Sequence, residues 1–550
     1  MNWQAGDRPL LHRRATRSPV RVRKGAIATS QPLASAAGLR VFMEGGNAVD
    51  AAVTAAATLS VVEPTMTGIG GDLFALLYNG RSNTIHALNA SGRAPVAASL
   101  DALRDATGSS TAMPEHGPLT VSVPGAVDGW ATLLKQHGTI PIARALSPAI
   151  EYARSGFAVS DVVAHQWQAA ETILAADVDA ASIFLPRGMA PRAGDLFFNP
   201  ALAATLEQIA KDGGAAFYKG EIAKQTVADF SRIGGWLNSG DLETHRSDWV
   251  EPIRTQFRGR DVLEMPPNTQ GLTAIEILNL IEGEDIEGLG HNSPAYLHLL
   301  IESVRIAFAD RAAYIADPKS VPTKLINYLA SNSYASARRD EIDLKQAATD
   351  YRAWRDTRKI VGPRSGTGDT VYLAAADEHG NVVSLIQSLF GAFGSGVVSK
   401  KTGVVFQNRA SLFSVDPQHP NCLGPRKRPF HTLIPALVLQ ESEPILAFGV
   451  MGGDMQAQGH AQVLANLYAF GMNLQDAGDA ARARWTGNAI ALESGIGLDT
   501  RSGLKKRGHR LTGNETWGGF GGFQGIQIDR ERGVLVGGSD ARKDGMAVGW

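Results

Sequence analysis

Residues 366–390 read GTGDTVYLAAADEHGNVVSLIQSLF, and the character of the chain changes within this stretch. From Thr370 onward it consists of two runs of β-forming residues, which are joined by the polar turn sequence EHGN at 378–381. Gly366 and Gly368 precede the first run and favour a flexible backbone. The stretch therefore predicts a linker that leads into a β-hairpin, with Thr370 at the junction.

The segments on the two sides of this junction differ in their hydrophobic pattern. Residues 30–46 and 48–62 carry apolar side chains at helical spacing, and most of 125–350 has the same pattern. After Thr370 short β-type runs follow one another, and one helix is predicted at 457–471. Helices in the first part and strands in the last part favour an α+β fold, with sheets enclosed between helical layers.

Two segments are predicted to lie outside the folded core. Residues 1–24 are basic and contain no apolar segment of signal-peptide length, so we predict a flexible tail. Residues 320–368 are polar and basic and end in glycine, proline and serine, which predicts an exposed, mobile linker.

The composition limits the classes of function that the chain can serve. Of its 550 residues, 44% are hydrophobic and 19% are charged, as in ordinary soluble globular proteins. The net charge is −1, so no overall field attracts nucleic acid or an anionic membrane. No run approaches the roughly 18 consecutive apolar residues of a membrane span. We therefore expect a cytoplasmic protein with neither a nucleic-acid partner nor a membrane partner.

Common cofactor and metal motifs are absent from the sequence. The single cysteine, Cys422, cannot form an intramolecular disulfide or a cysteine-based metal site. The 13 histidines show no metal-ligand spacing, and there is no P-loop motif and no nucleophile-elbow motif. We therefore expect no cofactor and no metal.

Two local features suggest acyl-transfer chemistry, although each also has a purely structural explanation. Cleavage of the Asp369–Thr370 bond would give Thr370 a free α-amine, with a pKa of about 7.7–8.0, as a base for its own hydroxyl. A threonine at the start of a strand is also explained by β propensity. Gly452 and Gly453 lie between a predicted strand and a helix, where their N–H groups can stabilise an oxyanion or simply form a tight turn.

From about residue 25 to residue 550, the chain resembles the γ-glutamyltransferase (γ-glutamyltranspeptidase) family of N-terminal-nucleophile hydrolases. The resemblance is carried by an ordered series of segments, which are 38–72, 122–130, 199–223, 368–384, 407–421, 427–437, 450–458 and 538–549. It implies an α+β fold, a four-layer αββα sandwich of the N-terminal-nucleophile hydrolase type. It also implies a precursor that cleaves itself between Asp369 and Thr370. The large subunit would then comprise 25–369, preceded by the tail, and the small subunit 370–550.

The same resemblance assigns the catalytic roles. Thr370 matches the nucleophile for both autoprocessing and catalysis. Ser388 occupies the position of a second hydroxyl that hydrogen-bonds to the nucleophile and assists cleavage. Gly452 and Gly453 match the glycines of the oxyanion hole, which favours the functional explanation of that turn.

The positions that would bind a γ-glutamyl group depart from the family pattern. These substrate-binding positions fall on Ser91, Arg93, Phe390, Leu412, His431 and Thr432. Phe390 and Leu412 stand where the family places an asparagine and an aspartate, which hold the substrate α-amine. An ammonium group left there without a partner would cost several kcal/mol. Arg93 lies two positions after Ser91, which replaces the family's arginine, and we expect Arg93 and His431 to bind a carboxylate.

In the combination of its motifs GDTV, IQS, QNR, RPFHT and MGGD, the chain more closely resembles the amidohydrolase-like branch of the family, which includes oxamate amidohydrolase. We predict an autoprocessed threonine amidohydrolase or acyltransferase that cleaves small carboxylate-bearing amides through an acyl-enzyme. The expected partners are this small substrate and the two subunits of one precursor, and a homo-oligomer of the processed heterodimer stays open. One alternative is a true γ-glutamyltransferase or glutathione hydrolase. An alternative of another class is an unprocessed, non-catalytic binding protein.

Overall fold

The computed structural model describes residues 17–109, 111–356, 369–512 and 519–550. Its strands, in chain order, are β1 (Val20–Val22), β2 (Gly25–Thr29), β3 (Asp72–Asn79), β4 (Thr84–Ala90), β5 (Phe157–Ala158), β6 (Leu196–Phe197), β7 (Asp248–Val250), β8 (Ile253–Phe257), β9 (Arg260–Glu264), β10 (Asp369–Asp377), β11 (Val382–Phe390), β12 (Val398–Ser399), β13 (Val404–Val405), β14 (Ala436–Gln440), β15 (Glu443–Met451), β16 (Ala483–Trp485), β17 (Ile490–Leu492), β18 (Gly522–Asp529), β19 (Val534–Ser539) and β20 (Met546–Gly549).

The α-helices, again in chain order, are α1 (Pro32–Met43), α2 (Ala48–Val62), α3 (Leu100–Thr107), α4 (Ala126–His137), α5 (Ile142–Ser155), α6 (Asp161–Ala169), α7 (Glu171–Ala175), α8 (Val178–Phe184), α9 (Pro200–Asp212), α10 (Ala215–Lys219), α11 (Glu221–Arg232), α12 (Ser239–Thr244), α13 (Gly271–Glu282), α14 (Ile286–Leu289), α15 (Pro294–Tyr314), α16 (Thr323–Leu329), α17 (Asn332–Arg339), α18 (Met455–Tyr468), α19 (Leu474–Asp479) and α20 (Leu498–Lys506). Within the described ranges, none of these helices is both long enough and apolar enough to cross a bilayer.

Two seven-stranded antiparallel sheets form the centre of the fold. Sheet I has the order β1-β19-β18-β15-β14-β9-β8, and sheet II has the order β20-β2-β10-β11-β3-β4-β7. Both sheets combine strands from before and after residue 370. Any two subunits produced by cleavage at that point would therefore share both sheets.

Strand β10 shows how sheet II is buried on its two faces. Its side chains alternate between two apolar clusters, because neighbouring residues of a strand point to opposite faces. Val371, Leu373 and Ala375 join the cluster that contains helix α2. Tyr372 and Ala374 join the cluster that also holds residues of sheet I. Sheet II therefore packs against helices on one face and against sheet I on the other.

The hairpin predicted at 370–390 is confirmed. Strands β10 and β11 are antiparallel, and Leu373 lies opposite Leu385. In the turn, Asp377 Oδ1 accepts hydrogen bonds from the backbone N–H groups of His379 and Asn381, each at 3.0 Å. The register shifts between Asp369 and Val371, so Thr370 lies at an irregularity in the ladder.

Three predictions about the segments need correction. The folded region begins before the predicted boundary at Gly25, because β1 pairs with β19; residues 1–16 lie outside the described residues. The linker predicted at 320–368 is wrong for its first part, where α16 and α17 form because Leu329 and Tyr334 are buried. Residues 357–368 lie outside the described residues. After Thr370 the structure has helices α19 and α20 in addition to the predicted one.

Candidate active site

The structure places Thr370 and Ser388 side by side. Thr370 lies near the start of β10 and is only 1% exposed. Its Oγ1 donates a hydrogen bond to Ser388 Oγ at 3.3 Å, which is longer than the usual O–H···O distance of about 2.7–2.8 Å. Ser388 Oγ also accepts a hydrogen bond from the backbone N–H of Phe390 at 2.7 Å. The two hydroxyl groups predicted to act together are therefore in contact.

The glycine-rich loop at 65–72 packs directly behind this pair. A Cβ atom at Gly71 would collide with the backbone oxygen of Ser388, so only glycine allows this close approach. The backbone N–H of Leu389 donates to the carbonyl oxygen of Met66 at 3.0 Å. The loop therefore supports the end of β11 that carries Ser388.

Phe390 has an unusual backbone conformation at the end of β11. Its φ angle is +79°, a region that bulky residues rarely occupy and that costs about 1–3 kcal/mol. This conformation accompanies the short hydrogen bond from the Phe390 N–H to Ser388. The Phe390 ring lies 4.4 Å from the guanidinium carbon of Arg409.

The Gly452–Gly453 turn lies at the same end of the sheets as Thr370. Tyr372 of β10 packs against Gly449 of β15, where a Cβ atom would collide with its ring. At the opposite end, the β10–β11 turn and the β18–β19 turn line one cavity of about 580 Å³. Because β15 pairs antiparallel to β18, its last residue and the glycine turn lie at the Thr370 end. The turn then leads into the N-terminus of α18.

A buried hydrogen-bond network holds the glycine turn in place. Gln270 Nε2 donates to the carbonyl oxygens of Gly453 at 2.9 Å and Thr432 at 2.8 Å. Arg311 Nη1 donates to Gln270 Oε1 at 2.9 Å and to Asp454 Oδ1 at 2.7 Å. The backbone φ angle of Gly453 is +57°, in the left-handed region. Arg311 therefore holds Gln270, which binds the Gly453 carbonyl oxygen, and also Asp454, which directly follows the turn.

A fully buried aspartate lies next to Ser388 on the neighbouring strand. Asp72 of β3 is the cross-strand partner of Ser388. Its Oδ2 accepts from His431 Nε2 at 3.0 Å, and its Oδ1 accepts from the Gly92 N–H at 2.8 Å and from Gln407 Nε2 at 3.0 Å. Burial raises the pKa of Asp72 to about 6. Burial also lowers the pKa of His431 far below its usual value, so His431 is neutral.

Comparison with known proteins identifies the family. The sequence model described as gamma-glutamyltranspeptidase matches residues 34–550. The chain belongs to the gamma-glutamyltranspeptidase family. It is 36% identical over 539 residues to the glutathione hydrolase-like YwrD proenzyme of Bacillus subtilis (strain 168), covering 96% of this chain and 98% of that protein.

Two further similarities fall within the same family. The chain is 33% identical over 532 residues to the oxamate amidohydrolase proenzyme of Klebsiella pneumoniae, covering 94% of this chain and 97% of that protein. Among solved structures it resembles the cephalosporin acylase from Bacillus halodurans, with a TM-score of 0.91 and 41% identity. This match covers 100% of the present chain and 99% of the acylase.

The expectation that Arg93 and His431 bind a carboxylate does not agree with their surroundings. Arg93 Nη2 already contacts Asp248 Oδ2 at 2.9 Å, and its Nη1 lies 3.8 Å from Asp317 Oδ2. His431 is neutral, and its Nε2 is engaged by Asp72. Ser91, at the family's arginine position, is fully buried and its Oγ donates to Asn89 Oδ1 at 2.7 Å. Neither Arg93 nor His431 offers an unpaired positive charge to a substrate. The charge of Arg93 is compensated by Asp248 and Asp317, and burial keeps His431 neutral.

The two positions expected to lack a partner for an ammonium group do lie together. Phe390 and Leu412 belong to one buried apolar cluster, which also includes Leu272 and Phe430. The structure thus brings Phe390 and Leu412, two predicted substrate-binding residues, together in one apolar cluster. This environment disfavours a positively charged substrate group.

Sequence reasoning missed four polar residues of this site. They are Asp72, Gln270, Arg311 and Arg409. Asp72 ends the glycine-rich loop and Arg409 stands in the segment 407–421, so both lie within segments that carry the resemblance, but the sequence analysis gives neither a role. Arg409 is fully buried, and its Nη1 donates to Thr432 Oγ1 at 3.0 Å. Thr432, a predicted substrate-binding residue, is thus joined to this arginine.

We expect a Ser388→Ala variant to process itself about tenfold more slowly than the wild type, not to lose processing. Its hydroxyl accepts hydrogen bonds from Thr370 and Phe390, and such a bond contributes about 1 kcal/mol. Denaturing gels sampled over time after synthesis would measure the rate. Ser384→Ala is the matched control, because Ser384 is buried on the same strand but contacts the Tyr372 hydroxyl. Processing of Ser388→Ala at the wild-type rate would remove Ser388 from the site.

Proposed function

We propose that the chain is a proenzyme that cleaves itself before Thr370 and then hydrolyses amide bonds of small carboxylate-bearing substrates. The observation that carries this proposal is the buried contact between Thr370 Oγ1 and Ser388 Oγ at the start of β10. Family membership supports it, as do the proenzyme, acylase and amidohydrolase names of its relatives.

The processing step uses the nucleophile on its own peptide bond. Thr370 Oγ attacks the carbonyl carbon of Asp369, the bond from that carbon to the Thr370 nitrogen breaks, and the nitrogen takes up the hydroxyl proton. The product is an ester between Asp369 and the Thr370 side chain. Water then hydrolyses this ester, which leaves a carboxylate on Asp369 and a free α-amine on Thr370.

The catalytic step repeats this chemistry on a substrate. The Thr370 α-amine accepts the hydroxyl proton while Oγ attacks the amide carbon, and the proton then passes to the departing nitrogen. The N–H groups of Gly452 and Gly453, at the N-terminus of α18, are the proposed donors to the oxyanion. Water hydrolyses the acyl-enzyme and releases the carboxylic acid.

The fold supports a finer architectural proposal. Helices, sheet II, sheet I and further helices would stack in the four-layer αββα order of N-terminal-nucleophile hydrolases. Clusters of apolar side chains fill the spaces beside and between the sheets. After cleavage, the large and small subunits would stay associated because each contributes strands to both sheets.

We expect a small carboxylate amide to be a better substrate than glutathione. The apolar pair Phe390 and Leu412 offers no partner to an α-ammonium group, and a paired charged group contributes roughly 1.5–3 kcal/mol, or about tenfold or more in specificity. The measurement is kcat/KM of the processed protein for oxamate, glutathione and a γ-glutamyl anilide. A clear advantage for glutathione would favour the competing function, that of a true γ-glutamyltransferase. A single full-length band on a denaturing gel would instead favour a non-catalytic binding protein.

A further inference from the structure

Arg409 has hydrogen-bond donors for which the described part of the chain provides no acceptor. The side chain is fully buried. Its Nη1 donates to Thr432 Oγ1, but Nε and Nη2 have no hydrogen-bond partner within the parts of the chain that the structure describes. A buried charged group with unpartnered donors is costly unless something else satisfies them. This arginine is therefore equipped to receive an additional partner.

The two unused donors lie on one edge of the guanidinium group. Nε–H and the neighbouring Nη2–H point in nearly the same direction, and this fork matches the two oxygens of a carboxylate. Asp72 does not fill the edge, although its charge is close enough to influence Arg409. The Asp72 oxygens accept instead from Gly92, Gln407 and His431. Burial lowers the pKa of Arg409 to about 9, so it remains protonated at neutral pH.

A chain of contacts links Arg409 to the residues of the candidate active site. On one side, the Phe390 ring lies 4.4 Å from its guanidinium carbon, and the Phe390 N–H donates to Ser388 Oγ beside the nucleophile. On the other side, Arg409 binds the hydroxyl of Thr432. The Thr432 carbonyl oxygen shares Gln270 Nε2 with Gly453 of the glycine turn. The guanidinium group thus lies between neighbours of the nucleophile and neighbours of the proposed oxyanion donors.

We propose that Arg409 binds the carboxylate of the substrate's acyl group, side-on through Nε and Nη2, and thereby selects anionic acyl groups that lack an ammonium group. This inference rests on the proposed function and names the substrate class of the same site: monoamides of dicarboxylic acids. The family pattern has a carboxylate-binding arginine at the position of Ser91. In this chain, Arg409 from a different segment would take over that role. A cation at this position also repels a substrate ammonium, which the apolar pair Phe390 and Leu412 cannot bind.

The test compares substrates that differ only in the charge to be recognised. Oxamate, malonamate, succinamate and glutaramate each have a neutral diamide counterpart with the same scissile carbonyl. The processed wild type should hydrolyse the best monoamide with a kcat/KM about tenfold or more above that of its diamide. Arg409→Gln should lower kcat/KM for the monoamide about tenfold or more relative to that for the diamide, so that the preference is lost. Arg409→Lys should restore part of the preference, because lysine keeps the charge but not the fork.

Two controls separate recognition from folding. Each variant is checked for cleavage at Thr370 on a denaturing gel. Arg81→Gln serves as the control variant. Arg81 is exposed, and it follows the end of β3 that is opposite to Asp72. Equal losses for monoamide and diamide in a normally processed Arg409→Gln protein would overturn the proposal and make Arg409 a structural counter-ion of Asp72.

A second measurement needs no variant. Crystals of the processed wild type soaked with oxalate, succinate or glutarate should show a carboxylate on Nε and Nη2 of Arg409. Binding elsewhere, or none at saturating concentration, would overturn the proposal. If the processed protein hydrolyses none of the eight amides but a dicarboxylate still binds Arg409, the proposed function fails while the assignment of the anion site stands.

Discussion

The Thr370→Ala variant is expected to remain a single chain of 550 residues without measurable amidase activity. Alanine lacks the oxygen that must attack the Asp369 carbonyl, so the ester cannot form and the α-amine is never released. Loss of a nucleophile that acts together with its base lowers kcat by about a thousandfold or more. Denaturing gels and intact-mass measurement would follow the cleavage, and monoamide hydrolysis would follow the activity.

The conservative control for this variant is Thr370→Ser. It keeps the hydroxyl that contacts Ser388, so it should be cleaved and retain activity, although more slowly. Each substitution removes only one or two heavy atoms from a buried strand residue, so we expect both variants to fold. Release of a 370–550 fragment from Thr370→Ala would show that another group attacks this bond, and Thr370 would lose its role.

The sequence was most informative where a strand is buried on both faces and reads as a continuous run of β-forming residues. In β10 and β11 nearly every residue is buried, and the polar turn at 378–381 separates the two strands unambiguously. The prediction of the hairpin therefore needed only local information. By contrast, α16 and α17 lie in the segment 320–368, whose polar and basic composition as a whole predicts a linker, although buried residues such as Leu329 and Tyr334 anchor the two helices.

The carboxylate-binding residue could not be predicted in the same way. Arg93 was an attractive candidate because it stands two positions from Ser91, but its partners Asp248 and Asp317 come from remote segments. Asp72 and His431 are 359 positions apart, yet they share a hydrogen bond, and burial lowers the pKa of His431 well below its usual value. Only the folded chain shows which buried charges are already compensated and which, like Arg409, keep donors without an acceptor among the described residues.

The glycine turn is the other place where a small change should have a large effect. Gly452 has a φ angle of +117°, which residues with a side chain rarely adopt, and a Cβ atom there would lie 2.9 Å from Gly521 Cα. The Gly452→Ala variant must therefore move the backbone whose N–H groups are the proposed oxyanion donors. Because loss of one such donor lowers kcat about 10²–10³-fold, we expect kcat per processed molecule to fall at least about a hundredfold.

Gly471→Ala separates this effect from general backbone strain. Gly471 also has a positive φ, +63°, but a Cβ atom there meets nothing within 4 Å, and it lies beyond the other end of α18. Both substitutions should lower Tm, because alanine in the left-handed region costs about 1 kcal/mol, but only Gly452→Ala should lower kcat. If both variants keep wild-type kcat, then the oxyanion is stabilised by other groups. In that case the buried hydrogen-bond network of Gln270, Arg311 and Asp454 would stabilise the turn without contributing to catalysis.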